Sequence, residues 1–226
     1  MPHILVFDVN ETLLDLKALE PQFERVFGDR LVLSEWFNQV ILYAEALTLA
    51  DNYRNFGEVA RAALDMTAEA RNIGISAEDA QRIISGIRRL PAHPEIVESL
   101  DRLKNAGLRM VTLTNSPPAV VDAQMQYANL QPYFERNFSV DAVRKYKPAA
   151  EPYRMVAREL GVETSGLRMI AAHAWDVGGA MQAGCAAAFI ARPGKALFPD
   201  FPRPEITGKD LREVSDAILK SYGVRR

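Results

Sequence analysis

Asp8 ends the apolar run Ile4–Phe7, and three more polar groups occupy comparable places along the chain. Thr114-Asn115-Ser116 follows Met110–Leu113, Lys147-Pro148 lies in the segment VRKYKPAAEPYR, and His173 and Asp176 follow Met169–Ala172. Asn10 and Thr12 lie on the turn directly after Asp8. Together these groups offer one carboxylate, a set of hydroxyls and amides, one ammonium and a second carboxylate. An ionised carboxylate can attack an electrophilic carbon or phosphorus and form an ester or acyl phosphate. A neighbouring ammonium keeps that carboxylate ionised and offsets charge on the substrate. Taken alone, Asp8 reads equally well as a turn residue or a helix N-cap, positions that Asp favours. The other three groups tip the reading toward a nucleophile.

Such groups converge only if strands deliver them. Ile4–Phe7, Met110–Leu113, Met169–Ala172 and Ala187–Ala191 are short unbroken apolar runs, the pattern of strands buried on both faces in a parallel sheet. Each is followed by polar or small residues and then a helical pattern, which predicts an α/β fold. Ligands of such sheets sit just beyond the carboxyl ends of the strands, where all four polar groups fall. From about Asp15 to Arg89 the apolar spacing is helical throughout, as in Leu16, Leu19, Phe23 and Val26, or Val59, Ala62, Ala63 and Met66. Ser76-Ala-Glu-Asp79 has the order of a capping box. The block is longer than one crossover helix needs and reads as an inserted helical cap. Leu90–Pro94 reads as the return hinge, followed by a helix over Glu95–Asn105 that Gly107 closes. Leu197–Pro204 is predicted to be a rigid loop packing at a subunit or cap contact, and a last helix is expected over about Leu211–Tyr222.

Composition narrows the function. The 226 residues carry 27 Lys+Arg against 29 Asp+Glu, a formal net charge of −2, and 48% are hydrophobic. A disordered chain would be poorer in apolar residues. Nucleic-acid binding through a broad basic field is disfavoured, because that binding needs clustered cations. The lone Cys185 forms no intramolecular disulfide, which points to a reducing compartment, and reads as a small buried hydrophobe. The start MPHILVFDV lacks the basic region and apolar length of a signal peptide, and no apolar stretch reaches transmembrane length. The expected location is cytoplasmic, away from membranes. His3, at the surface end of the first strand, and His93, in the hinge, lack ligand-type spacing to another His, so no metal role is assigned to them. Arg88-Arg89 reads as a solvated helix end and Arg54 as a surface residue.

The motif order resembles the haloacid dehalogenase superfamily of hydrolases. FDVNETL is similar to its first motif, LTNS to its second, YKP to its third and the HAWD segment to its fourth. The resemblance implies a Rossmann-like three-layer core with a parallel sheet, formed by residues 1–13 and 93–226, and a helical cap over 14–92. Two chemistries follow from it. The superfamily's phosphatases carry a second Asp two positions after the nucleophile and bind Mg²⁺; here that position is Asn10, which delivers no proton as a carboxylic acid does. The detail is closer to the type II L-2-haloacid dehalogenases: Trp36, Asn52, Tyr53, Asn55 and Phe56 in the cap, Ala174-Trp175-Asp176 in the core. By that resemblance Asp8 displaces halide from the carbon beside a carboxylate, and water activated near Asp176 hydrolyses the ester, without cofactor or metal. Thr12 supports the Asp8 loop, Asn115 contacts the halide, and Thr114 and Lys147 help hold the substrate carboxylate. Tyr153 hydrogen-bonds near Lys147, Phe56 and Trp175 line an apolar pocket, and Asn10 belongs with the substrate-binding residues. A homodimer is also implied. The alternatives are a Mg²⁺-dependent phosphatase using Asp8 and Asp176, and a weakly active relative that binds a carboxylate ligand or a protein partner.

Three departures from the family pattern stand out. Phe37 occupies the place of a cap Arg that grips halide and substrate, and a phenyl ring donates no hydrogen bond. His173 stands for an Asn of the fourth motif, and Ala171 for a Ser two residues earlier. Glu11 stands where Gly commonly precedes the Thr, so the loop must take a conformation open to a residue with a Cβ. Two readings of His173 follow. In one it replaces part of the lost Arg as a donor to a small leaving anion; in the other it only packs against or hydrogen-bonds the Asp8 loop.

Overall fold

The apolar runs form a single parallel sheet. The computed structural model describes residues 4–223, and His3 lies outside them. Strands β1 (Ile4–Phe7), β2 (Arg109–Thr114), β3 (Asn137–Ser139), β4 (Leu167–Ala171), β5 (Ala186–Ile190) and β6 (Ile206–Gly208) lie in the order β3-β2-β1-β4-β5-β6. Every neighbouring pair is parallel. The four predicted strands match to within two residues. β3 and β6 escape the sequence reading because each spans three residues of mixed polarity. They are the sheet edges, paired on one side only, so no continuous apolar run is needed there.

The strand order reverses between β1 and β4, and ligands of open α/β sheets bind in the crevice at that switch point. The Asp8 N–H bonds to the Ile170 carbonyl at 3.0 Å, so the β1–β4 ladder runs on by one residue and fixes Asp8 at the rim.

Between β1 and β2 the chain forms α1 (Glu20–Phe27), α2 (Val32–Leu49), α3 (Phe56–Ala70) and α4 (Ala77–Gly86). Then come α5 (Ile96–Asn105), α6 (Pro118–Tyr127), α7 (Ala150–Glu159), α8 (Ala174–Gln182) and α9 (Leu211–Ser221). Asn55 and Glu58 form a reciprocal capping box at the start of α3. At α4 only half of the expected box forms. Ser76 accepts from the Asp79 N–H, but the Asp79 carboxylate turns to Arg25 at 2.7 Å and ties α4 to α1. Phe23 packs on Trp36 at 5.2 Å, and the Trp36 indole N–H donates to the Ala60 carbonyl at 2.9 Å, which joins α1, α2 and α3.

Tyr146 connects this helical block to the sheet. Its N–H donates to Thr48 Oγ1 at 3.0 Å and its hydroxyl to the Arg54 carbonyl at 2.5 Å, one residue before Lys147. From the other side, α8 presses on the same segment through Gly179. A Cβ there would stand 2.4 Å from Pro148 Cβ and 2.6 Å from the Pro148 carbonyl oxygen. Gly178 likewise makes room for the Phe201 ring, so the loop over Leu197–Pro204 is anchored on α8.

Gly179→Ala must therefore displace backbone, and we expect it to lower unfolding stability in urea by about 1–3 kcal/mol. Gly74→Ala, where nothing lies within 4 Å of the added carbon, is the control and should stay within about 0.5 kcal/mol of the parent. Equal stability of the two variants would mean that α8 does not rest on the Lys147 segment.

Candidate active site

Lys147 has no solvent exposure, and its ammonium has three acceptors. Asp8 Oδ1 lies at 2.9 Å, Asp176 Oδ2 at 2.5 Å and the Leu113 carbonyl at 3.0 Å. Burial alone would lower the Lys147 pKa, but Asp176 and Asp8 overcome this and raise it. Burial raises the Asp176 carboxyl above its ordinary value against the pull of Lys147. Asp8 has the opposite balance. Burial would raise it, yet Lys147, His173 and Thr12 hold it well below the usual carboxylate range, so it is ionised at any working pH.

The turn after β1 completes the Asp8 environment. Thr12 Oγ1 donates to Asp8 Oδ2 at 2.6 Å and accepts from the Ala172 N–H at 2.9 Å, bridging the ends of β1 and β4. The Arg192 guanidinium fixes the Thr12 carbonyl at 2.6 Å and pairs with Glu95 at 2.9 Å. Glu11 has φ +60°, the left-handed region expected of the glycine usually found there. Its carboxylate lies 2.8 Å from His173 Nε2 and 2.8 Å from Lys195 Nζ. The other His173 nitrogen, Nδ1, lies 3.1 Å from Asp8 Oδ2. Burial would lower the His173 pKa, but hydrogen bonds donated to Asp8 and Glu11 raise it to about 9. Burial would raise Glu11, but His173 and Lys195 lower it to about 2.

The remaining predicted residues fall into place around this pair of clusters. Tyr153 is fully buried and donates to Asp176 Oδ1 at 2.7 Å, so its partner is the carboxylate that binds Lys147. Asn115 accepts from the Lys147 N–H at 3.2 Å, and its buried Nδ2 has no partner among the described residues. Thr114 Oγ1 accepts from the Ser116 N–H at 3.1 Å. Trp175 stacks on His173 at 4.9 Å and stands 5.8 Å from the Lys147 ammonium. Phe37 lies 6.4 Å from the His173 ring. Phe56 packs on Tyr146 at 5.9 Å and lines a cleft shared with Ser116, Ile87 and Arg88.

Two expectations are altered. Asn10 is engaged at both ends, accepting from Gln124 at 2.8 Å and facing Ser116 Oγ at 3.4 Å, so it braces the loop. His173 has a carboxylate on each nitrogen, which leaves neither free for a leaving anion and counts against the first of its two readings. Gln124, Arg192 and Lys195 are absent from the sequence reading; no motif marks them, and only the unusual Glu11 hinted that its carboxylate needed a partner. Cys185 is buried, and burial pushes its thiol up to about 12, in line with a packing role. Among the described residues no group of three or more His, Cys, Asp or Glu is placed to hold a metal ion, and no helix is long and apolar enough to cross a membrane.

The His173–Glu11 pair predicts a pH profile for stability. The raised His173 pKa contributes stability that is full below the ordinary value near 6.5 and is lost as pH rises through about 9. The lowered Glu11 pKa contributes stability that is full above about 4.5 and is lost as pH falls toward about 2. Urea unfolding of the wild type should weaken between pH 6.5 and 9, and His173→Asn should flatten that decline. An identical slope in the variant would remove His173 as its source.

Comparison with known proteins places this geometry in context. A (S)-2-haloacid dehalogenase of Pseudomonas sp. (strain YL) is 27% identical over 221 residues, covering 97% of this chain and 95% of that one. The haloacetate dehalogenase H-2 of Moraxella sp. (strain B) is 28% identical, covering 97% of each chain. Among solved structures, the L-2-haloacid dehalogenase of Xanthobacter autotrophicus with chloropropionic acid covalently bound superposes with a TM-score of 0.89 at 23% identity, over 96% of this chain and 98% of that one, and so shares the fold. A family profile described as haloacid dehalogenase-like hydrolase matches residues 2–184. With most of its length under that profile, and with the nucleophile loop, ammonium and second carboxylate converging at the switch point of the sheet, the chain belongs to the haloacid dehalogenase-like hydrolases.

Proposed function

We propose that this protein hydrolyses short 2-haloalkanoic acids through a covalent ester on Asp8. The observation that carries the reading is an aspartate held ionised in a nearly closed site, with one oxygen bonded only to Lys147 among the described contacts. That oxygen, Oδ1, retains lone pairs to attack the carbon beside the substrate carboxylate. A halide is a weakly basic leaving group and needs no general acid, which fits the amide at Asn10. The unpartnered Asn115 amide is a donor for the departing halide or for the substrate carboxylate, and Lys147 and Thr114 stand beside it. Asp176, bound by both Lys147 and Tyr153, holds the ammonium in place and draws the hydrolytic water. Phe37 and Trp175 set apolar rings beside His173, and Phe56 lines the neighbouring cleft with Ser116. Residues 14–92 act as the cap over a core of 1–13 and 93–226.

The dehalogenases among the relatives support this reading over a phosphatase. The homodimer and the cytoplasmic setting are kept as parts of the reading. The exposed Leu42, Tyr43 and Leu49 of α2 are the candidate dimer contact.

Purified protein should release halide from chloroacetate or 2-chloropropionate equally well with added Mg²⁺ or with a chelator. Asp8→Asn should cut that rate by at least about 10³-fold, since an amide is a poor nucleophile. Mg²⁺-dependent phosphate release from p-nitrophenyl phosphate, with no halide release, would overturn the assignment.

A further inference from the structure

We propose that His173, as an imidazolium, and the Thr12 hydroxyl together form the oxyanion site for hydrolysis of the Asp8 ester, with Glu11 as the positioning residue that holds His173 there. The proposal rests on the ester chemistry above. Both groups point at one oxygen: Thr12 Oγ1 lies 2.6 Å and His173 Nδ1 3.1 Å from Asp8 Oδ2. Attack through Oδ1 forms the C–O bond and expels halide with the electron pair of the carbon–halogen bond. Oδ2 then becomes the ester carbonyl oxygen, still facing both donors. When water adds to Cγ, the carbonyl π pair moves onto Oδ2. Donors at these distances suit the charge that develops. Collapse breaks the Cγ–Oδ1 bond, and Oδ1 leaves with the product while the oxygen of water replaces it. One water proton goes to the departing alkoxide and one to solvent. Asp8 is ionised again and His173 keeps its proton throughout.

Three features of the structure support a fixed, charged donor. A neutral imidazole donates from one nitrogen only, whereas His173 has a carboxylate at each, so both nitrogens carry protons. Glu11 holds a left-handed backbone that costs a side-chain-bearing residue energy, and its carboxylate spans His173 and Lys195 in return. Trp175 stacks on the ring and Phe37 packs near it, which restrains the imidazole. The charged groups facing His173 are Asp8 at the end of β1 and Glu11 on the next turn. Lys195 stands behind Glu11, and Lys147 and Asp176 stand beyond Asp8. His93, from the hinge, reaches only the Glu11 carbonyl, at 3.3 Å. Carboxylates touch the ring and cations stand one group further away.

The test is a single-turnover reaction of excess full-length protein with chloroacetate, acid-quenched and followed by intact mass at several pH values. In the wild type, decay of the Asp8 adduct should slow as pH rises through the His173 titration. That titration lies below the value of about 9 in the free site, because esterification removes the Asp8 charge and leaves Glu11 as the carboxylate partner. Glu11→Gln should move that falling limb to lower pH. His173→Asn should abolish the limb and prolong the adduct at least about tenfold, with adduct formation affected less. A decay that speeds up through the same titration would make His173 a general base and overturn the proposal. So would adduct decay unchanged in both variants, or formation and decay slowed in equal measure with the limb in place. A wild type yielding neither halide nor adduct would overturn the dehalogenase reading itself, and the proposal with it.

Discussion

Everything at this site depends on one ammonium buried between two carboxylates. Lys147 has no contact with solvent, and water compensates none of its charge. Removing a charge from water costs several kcal/mol, which only close, well-directed partners recover. Asp8, Asp176 and the Leu113 carbonyl supply them, from the end of β1, the first turn of α8 and β2. The nucleophile is therefore inseparable from the fold. If β1, β2 or α8 were displaced by an ångström, the ion cluster would lose a partner.

The surrounding structure serves that constraint. Gly179 lets α8 lie directly on the Pro148 backbone, so Asp176 at the start of the helix reaches the ammonium. Thr12 bridges β1 to the residue after β4, and Arg192 and Glu95 secure its carbonyl from behind. Tyr146 joins the Lys147 segment to α2 and to the turn before α3. Tyr146 thus couples the helical block to the residue that carries the ammonium.

Much of this was legible in the sequence because it is encoded locally. Unbroken apolar runs specify buried parallel strands, and an Asp or Asn-Ser directly after such a run must lie at the carboxyl rim. The lengths of the helical patterns marked the inserted block. Edge strands β3 and β6 were not legible, since three residues paired on one side need no apolar continuity. Nor were the partners of side chains far apart in the chain. Nothing in the residues around Lys195 or Gln124 announces Glu11 or Asn10, because charge pairing across the fold has no period. Glu11 was the exception, flagged by a conformational demand that its type fits poorly. His173 was recognised as a departure, but its two carboxylate partners emerge only in three dimensions.

The left-handed turn at Glu11 also bears on how such a site arises by substitution. A glutamate in that conformation, without His173 and Lys195, carries roughly 1–2 kcal/mol of backbone strain with nothing to offset it. A glycine there, with His173 retained, leaves the imidazolium with one carboxylate in place of two. The two positions therefore form an epistatic pair, in which each residue is tolerated largely because of the other. A lineage moving between a glycine–asparagine site and this one crosses a shallow fitness valley, which is narrowest if the histidine arrives first, since Asp8 already offers it one partner.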